Sequence, residues 1–244
     1  MTVDNWELLV NAAKNFNIKL SNKQLMLYRI YWEFLDKYNE HTNIVSSSEQ
    51  KTVIEKHFID SLSLGLLKNS VNFNDTLKII DIGSGGGFPG IPLVIAYPDW
   101  KLCAVDSVGK KTKFIELLVK ELGIEDRVEV LTARAEELGQ DKNYREKFDI
   151  AASRAVSQLP VLSEYCIPFV KEGGLFVAYK ASQVDEEIEQ SEKAIKTLGG
   201  KLKETVPYFL PEQVERKLVI IKKIKPTPGS YPRKSGIPKK SPII

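Results

Sequence analysis

Apolar positions in the first third of the chain recur at helical intervals. Residues 5–16 carry Trp6, Leu8, Leu9, Ala12, Ala13 and Phe16, the stripe of an amphipathic helix. Ser21, with Gln24 after it, has the spacing of a capping box. Behind it Leu25, Tyr28, Tyr31, Trp32, Leu35 and Tyr38 form a second stripe. The run "SSSEQ" at 46–50 offers a third helix start, and Val53, Ile54, His57, Phe58 and Leu62 line one side of the helix it would open. These stripes predict helices that turn an apolar face to a core.

From Leu77 the period changes. Short runs rich in β-branched residues, "LKIIDI" (77–82), "KLCAVD" (101–106), "RVEVLT" (127–132), "FDIAAS" (148–153) and "GLFVAY" (174–179), alternate with amphipathic segments. In one of these, 109–122, Phe114, Leu117, Leu118 and Leu122 share a face and Gly123 supplies a stop. Strand and helix in alternation predict a parallel sheet covered on both faces. After a helix at about 184–198, the runs "KLKETV" (201–206) and "KLVIIKKI" (217–224) leave no room for a crossover helix and predict an antiparallel pair. The expected fold is α/β and Rossmann-like, with a seven-stranded, mostly parallel sheet whose last strand is reversed. The expected organisation is a helical N-terminal extension packed on the core (1–70), an α/β domain (71–224) and a C-terminal tail (225–244).

Composition adds limits. An apolar fraction of 43% suffices for a sizeable core. The apolar run "IPLVIAY" at 91–97 is too short for a bilayer, and "MTVDNWELLV" lacks the features of a secretion signal. Cys103 and Cys166 form no CxxC pair and have no histidines near them in sequence. That speaks against a disulfide or metal framework and for a cytoplasmic protein without a membrane partner. The net charge of +3 is unevenly placed, because residues 222–244 hold seven Lys or Arg and no acid. The prolines there argue against a helix and for an extended, mobile strip. Such a strip either contacts a polyanion or is a solvated terminus.

Candidate chemistry sits at the end of the first strand, in "DIGSGGGFPG" (81–90). Glycines let a ligand touch the main chain, and the helix expected near Phe88 presents N–H groups. Asp106, ending the second strand, can accept hydrogen bonds from both hydroxyls of a ribose. Loop and acid together indicate a nucleoside-containing cofactor rather than a tight turn and a surface acid. Gly85, Gly87 and Gly90 do fit the dinucleotide pattern GxGxxG, so an NAD-dependent oxidoreductase is the rival reading. Asp81 counts against it, since a negative charge beside the loop repels a pyrophosphate and suits the cationic S-adenosylmethionine. Strands and loop resemble the class I S-adenosylmethionine-dependent methyltransferases, whose sheet ends in a reversed strand.

No Asn/Asp-Pro-Pro-aromatic run follows the fourth strand, where the chain reads "SRAVSQLP" (153–160). Neither cysteine has an evident activating base, so both are read as small core residues. "HFIDSL" (57–62), "DIGSGGGFPGIPL" (81–93), "VDSVGKKTKFI" (105–115), "ARAEEL" (133–138), "SRAV" (153–156) and "YPRKSGIP" (231–238) closely resemble the bacterial 16S ribosomal RNA guanine-N7 methyltransferase family, formerly glucose-inhibited division protein B. The resemblance implies methyl transfer from S-adenosylmethionine to N7 of one guanine in 16S ribosomal RNA or the small ribosomal subunit. By motif position it implies that Gly83 and Phe88 flank the methionine end of the cofactor, Asp106 the ribose, and Ala135 and Glu136 the adenine, with Gly85 also among the cofactor-binding residues of the loop. Arg154 would stand at the mouth, for cofactor, for an RNA phosphate or for the guanine O6. Lys180, Arg233 and Lys234 are candidate RNA contacts, with a solvated lysine as the plain alternative for Lys180.

His57, Asp60 and Ser61 invite comparison with a hydrolytic triad. They lie within five positions of one another on one expected helix, with nothing to form an oxyanion hole, so they are read as structural or RNA-facing. Guanine N7 carries a lone pair and no proton, so no general base is expected and Arg154 is at most a positioning group. An RNA-binding module with an inactive methyltransferase fold remains the non-enzymatic alternative; the intact loop and Asp106 speak against it.

Overall fold

The computed structural model describes residues 4–69, 71–73, 75–154 and 156–244. Its helices at the N-terminus are α1 (Asn5–Asn15), α2 (Asn22–Thr42), α3 (Gln50–Val53), a π-helical turn (Ile54–Ile59) and α4 (Asp60–Leu62). There follow β1 (Lys78–Ile82), α5 (Gly90–Ala96), β2 (Lys101–Asp106), α6 (Gly109–Glu121), β3 (Val128–Thr132), α7 (Ala135–Leu138) and β4 (Phe148–Arg154). The remainder is α8 (Leu159–Cys166), β5 (Val170–Ala181), α9 (Asp185–Thr197), β6 (Gly200–Leu210), β7 (Val214–Lys223) and α10 (Ile237–Lys240).

The seven strands form one sheet in the order β3-β2-β1-β4-β5-β7-β6. β7 alone is reversed, antiparallel to both β5 and β6, as the missing crossover helix predicted. β1 and β4 are neighbours, with β2 leaving β1 in one direction and β5 leaving β4 in the other. This is the topological switch point, where an open α/β sheet leaves a crevice at the strand ends.

One face of the sheet shares a single apolar cluster with the N-terminal helices, in which Leu9, Tyr28, Tyr31, Leu35 and Phe58 pack with Ile79, Leu93 and Trp100. The other face packs on α8 and α9 and takes in both cysteines, which are buried and free. The capping box of α2 is formed, with Ser21 and Gln24 bonding reciprocally. Gln24 Nε2 also donates to the carbonyls of Ile95 and Ala96 at the end of α5, at 2.9 and 2.7 Å. Tyr28 donates its hydroxyl to the Pro92 carbonyl at 2.7 Å, and Tyr31 to that of Gly86. The N-terminal helices therefore brace the helix and loop that come after β1.

Three expectations need correction. The helix after the glycine loop starts at Gly90, not near Phe88. The β6–β7 connection is only Pro211–Gln213, not the roughly ten residues between the apolar runs at 201–206 and 217–224, because both strands run on past those runs. The added length carries Tyr208 to Asp60 (2.6 Å) and Glu212 to Lys51 (2.9 Å), which ties the hairpin to the N-terminal segment. The third concerns the tail, which is docked rather than a mobile strip, and it contains α10. Arg145 explains much of the docking: Nη1 donates to the carbonyls of Gly139 and Tyr231, and Nη2 to those of Thr227 and Pro228. Local sequence excluded a long helix there, but it could not reveal a guanidinium supplied from outside the tail.

Candidate active site

At the carboxyl ends of the strands lies a cleft of about 710 Å³. Its floor is the loop after β1. Gly83 and Gly85 have φ of +77° and +58°, a region where a Cβ is strained. At Gly83 a Cβ would also fall 2.3 Å from Val156 Cγ2, so no side chain fits between the loop and the end of β4. The loop is pinned to β2, since the amides of Gly83 and Ser84 both donate to the Val105 carbonyl, at 2.8 and 3.0 Å.

Asp106, 6% exposed, lines the cleft at the end of β2. Its oxygens accept from the amides of Gly85 (3.0 Å) and Val108 (2.9 Å). Each carboxylate oxygen still has acceptor capacity, and the two amides fix its direction. Ala135 and Glu136, opening α7 after β3, line the cleft on the other side of Asp106 in sequence order. Glu136 accepts from the amide of Gly236 at 2.9 Å, so the tail reaches this end of the site. Lys239, on α10, also lines the cleft.

Asp81 does not serve as expected. It is fully buried, and its Oδ2 accepts from the Gly90 amide at 3.0 Å behind the loop, while Oδ1 has no hydrogen-bond partner among the described residues. Burial pushes its carboxyl up to about 7. The acid caps the start of α5 and is not a full negative charge lining the cleft.

Arg154 ends β4, and its surroundings are what the sequence hid. Nη1 donates to the Lys56 carbonyl (2.7 Å) and to Asp60 Oδ2 (2.9 Å), and Nη2 lies 2.7 Å from His57 Nδ1. Its guanidinium sits 5.1 Å from the Phe88 ring centroid. His57 stacks on Phe88 at 4.7 Å, and Phe88 on Tyr31 at 5.3 Å. Asp60 receives the Tyr208 hydroxyl on its other oxygen, which satisfies a nearly buried carboxylate from two sides. The π-helical turn puts the Lys56 carbonyl and the His57 ring side by side under Arg154. A guanidinium has five N–H donors. Nε–H and one Nη2–H of Arg154 have no protein partner among the described residues.

His57 and Asp60 thus belong to the site although helical spacing made them look structural. Their motif, "HFIDSL", was the available signal. Lys180 is turned inward, donating to the Ser157 carbonyl at 2.9 Å and pairing with Glu187 at 2.6 Å, and so holds the loop after β4. Arg233 is held in a fork by the buried Glu164. These two anchor structure instead of offering free charge, whereas Lys234 is exposed. Lys56, Lys111, Arg134 and Arg216 join Lys239 on the walls of the cleft.

The residues fit a nucleoside cofactor with a charged amino-acid end. The glycine cradle admits main-chain contact, a fixed carboxylate suits a diol, and the open edge of Arg154 suits a carboxylate.

A family model described as rRNA small subunit methyltransferase G matches residues 24–219. A ribosomal RNA small subunit methyltransferase G of Acetivibrio thermocellus is 42% identical over 238 residues, covering 97% of this chain and 96% of its own. One of Lactococcus lactis subsp. lactis is 43% identical over 237 residues, covering 96% and 97%. Among solved structures, the O-methyltransferase from Bacillus cereus in complex with SAH aligns with a TM-score of 0.57 at 16% identity, over 80% of this chain and 91% of that one. That likeness speaks to the fold, a class I methyltransferase sheet. The relatives match nearly end to end, and the chain belongs to the rRNA small subunit methyltransferase G family.

Proposed function

We propose that the protein methylates N7 of a guanine in 16S small-subunit ribosomal RNA, using S-adenosylmethionine. One observation carries the reading: the bared glycine loop, the Asp106 carboxylate and the open edge of Arg154 line a single cleft whose walls also hold five further cations. The first three suit the donor, and the cations suit an RNA backbone. Family membership and the names of the relatives support the same activity.

When bound, S-adenosylmethionine supplies an electrophilic methyl group on a sulfonium. The acceptor N7 offers a lone pair and loses no proton, so the residues of the chain have placement as their task. Gly83 and Gly85 let the ligand approach the main chain, and Asp106 accepts the ribose hydroxyls. Ala135 and Glu136 border the base. Nε–H and the second Nη2–H of Arg154 would hold the carboxylate of the methionine end. No group here is poised to remove a proton: burial, with Arg154 and Lys56 beside it, lowers His57 to about 3, and its Nδ1 is engaged by Arg154.

N7-methylguanine should be present in small-subunit rRNA from cells carrying the gene and absent from cells without it. Equal modification in both would overturn the proposal. No described helix is long and apolar enough to cross a membrane.

A further inference from the structure

His57 has a fixed hydrogen position. A guanidinium can only donate, so the 2.7 Å contact between Arg154 Nη2 and His57 Nδ1 requires the lone pair of Nδ1. The ring hydrogen must then reside on Nε2. Protonating Nδ1 as well would set an N–H against an N–H, and burial beside Arg154 and Lys56 disfavours the cation independently. The ring cannot flip to exchange its nitrogens without losing that contact, and stacking on Phe88 at 4.7 Å, with 18° between planes, holds it in place. Nε2 has no protein partner among the described residues, although His57 lines the cleft with Gly83 and Phe88.

The location matters as much as the tautomer. His57 packs on Phe88, and Phe88 with Gly83 borders the part of the cleft proposed for the methionine end of the donor, whose sulfur carries the methyl group. A base brought there by N7 carries one other polar atom on the same edge: O6 in guanine, an acceptor, or the N6 amino group in adenine, a donor. Arg154, beside it, has committed both Nη1 hydrogens and one of Nη2 to protein, and the hydrogens that remain are those proposed for the carboxylate of the donor.

We infer that His57 selects the base, donating Nε2–H to the O6 of the target guanine and rejecting adenine because the ring presents no acceptor to an amino group. A serine hydroxyl rotates to suit either base, but this ring does not. A neutral donor also avoids the repulsion that an imidazolium would exert on the cationic methylated product. The inference rests on the guanine-N7 reading above and adds the residue that enforces it.

The test is a cycle of protein and substrate changes. Small subunits are reconstituted with guanine, or with 2-aminopurine, which keeps N7 and lacks O6, at the methylated position. For the unaltered protein, losing O6 should lower kcat/KM about 10- to 100-fold, the cost of leaving a donor unpaired in the site. His57→Phe should lose a similar factor on guanine and almost nothing further on 2-aminopurine. His57→Gln, whose carbonyl can receive Arg154 while its amide donates, should keep most of the discrimination. If His57→Phe still distinguishes the two bases as strongly as the unaltered protein, the role is overturned and His57 merely supports Arg154. Calorimetry with S-adenosylhomocysteine verifies that each variant is folded.

A second measurement needs no variant. The chain has only two histidines, His41 and His57, so their ring nitrogens can be assigned by ¹⁵N NMR. The Nε2–H tautomer of His57 should persist across neutral pH, and finding Nδ1–H or an imidazolium would overturn the inference. Failure of the unaltered protein to form N7-methylguanine would instead overturn the underlying function, so the two failures are distinguishable.

Discussion

Arg154 joins β4 to the π-helical turn by two bonds and to Asp60, at the start of α4, by a third, and Asp60 depends on it. Their side chains are 14% and 5% exposed, so the pair is close to the buried case, in which removing one partner strands the other. Arg154→Ala should destabilise the protein by about 3–5 kcal/mol, and Asp60→Asn added to it should recover part of that loss. Urea melts of the two single variants and the double variant measure the coupling; additive losses would refute it. No spacing rule connects Asp60 to a residue 94 positions on, so this constellation was illegible in the sequence even though both motifs that hold it were conspicuous. Asp81 is the converse case, since its position in the motif was plain and its role was misread. Burial raises its carboxyl to about 7 from the usual 3.8. Between those values the folded state keeps a proton that the unfolded chain has released, so this group makes stability fall as pH rises from about 4 to 7. His57, lowered to about 3, acts in the opposite sense over much of that window, and the net curve hides both. Asp81→Asn removes only the first effect. The variant should gain on the unaltered protein by a few kcal/mol, roughly, between pH 5 and pH 8, and a difference that stays constant with pH would show that Asp81 does not titrate there.

Among the elements, those built from local periodicity were legible. The stripes of α1 and α2, the capping box and the alternation of strands with helices all lie in contiguous residues, and the lack of room before β7 forced its reversal. The tail was not legible, because what orders it comes from elsewhere: Arg145 on four carbonyls, Glu146 on the Thr227 amide, Glu164 on Arg233. Sequence alone left this segment as a polyanion contact or a solvated terminus. The bond from the Gly236 amide to Glu136 ties it to the cleft as well, because Glu136 lies in the wall proposed for adenine. Truncation after Ile224 should therefore weaken S-adenosylhomocysteine binding, by roughly 5- to 30-fold for a wall that loses about 1–2 kcal/mol of fixed contacts. Arg145→Ala should do so more mildly by loosening the same segment without deleting it. Calorimetry at equal protein stability, below the melting range of each variant, is the measurement. Unchanged affinity in the truncated chain would mean that the tail only rests against the site.

At the scale of the molecule, a modest net charge of +3 conceals a sorted distribution. Folding pairs Lys180, Arg233 and Lys223 with acids inside the structure. The cations on the walls of the cleft come from separate places in the chain: Lys56 in the π-helical turn, Lys111 on α6, which also pairs with Asp106 at 3.7 Å, Arg134 before α7, Arg216 on β7 and Lys239 on α10. A basic tail was visible in the sequence, but a basic rim was not, because it is assembled by topology. Binding of small-subunit RNA should accordingly weaken with salt, each neutralised phosphate adding about −0.7 to the slope of log K against log salt for single strands. With all five cations engaged the slope would be roughly −3 to −4, and Lys239→Glu should make it shallower by about one phosphate's share or more. S-adenosylhomocysteine, which the proposal seats by short contacts against Asp106 and the glycine loop, should respond far less to the same salt. Fluorescence titrations of RNA and calorimetry of the cofactor product across one salt series separate the two. A flat RNA slope, or one that Lys239→Glu leaves untouched, would place the RNA somewhere other than this rim, while a steep slope shared by both ligands would mean that the cations hold the donor itself.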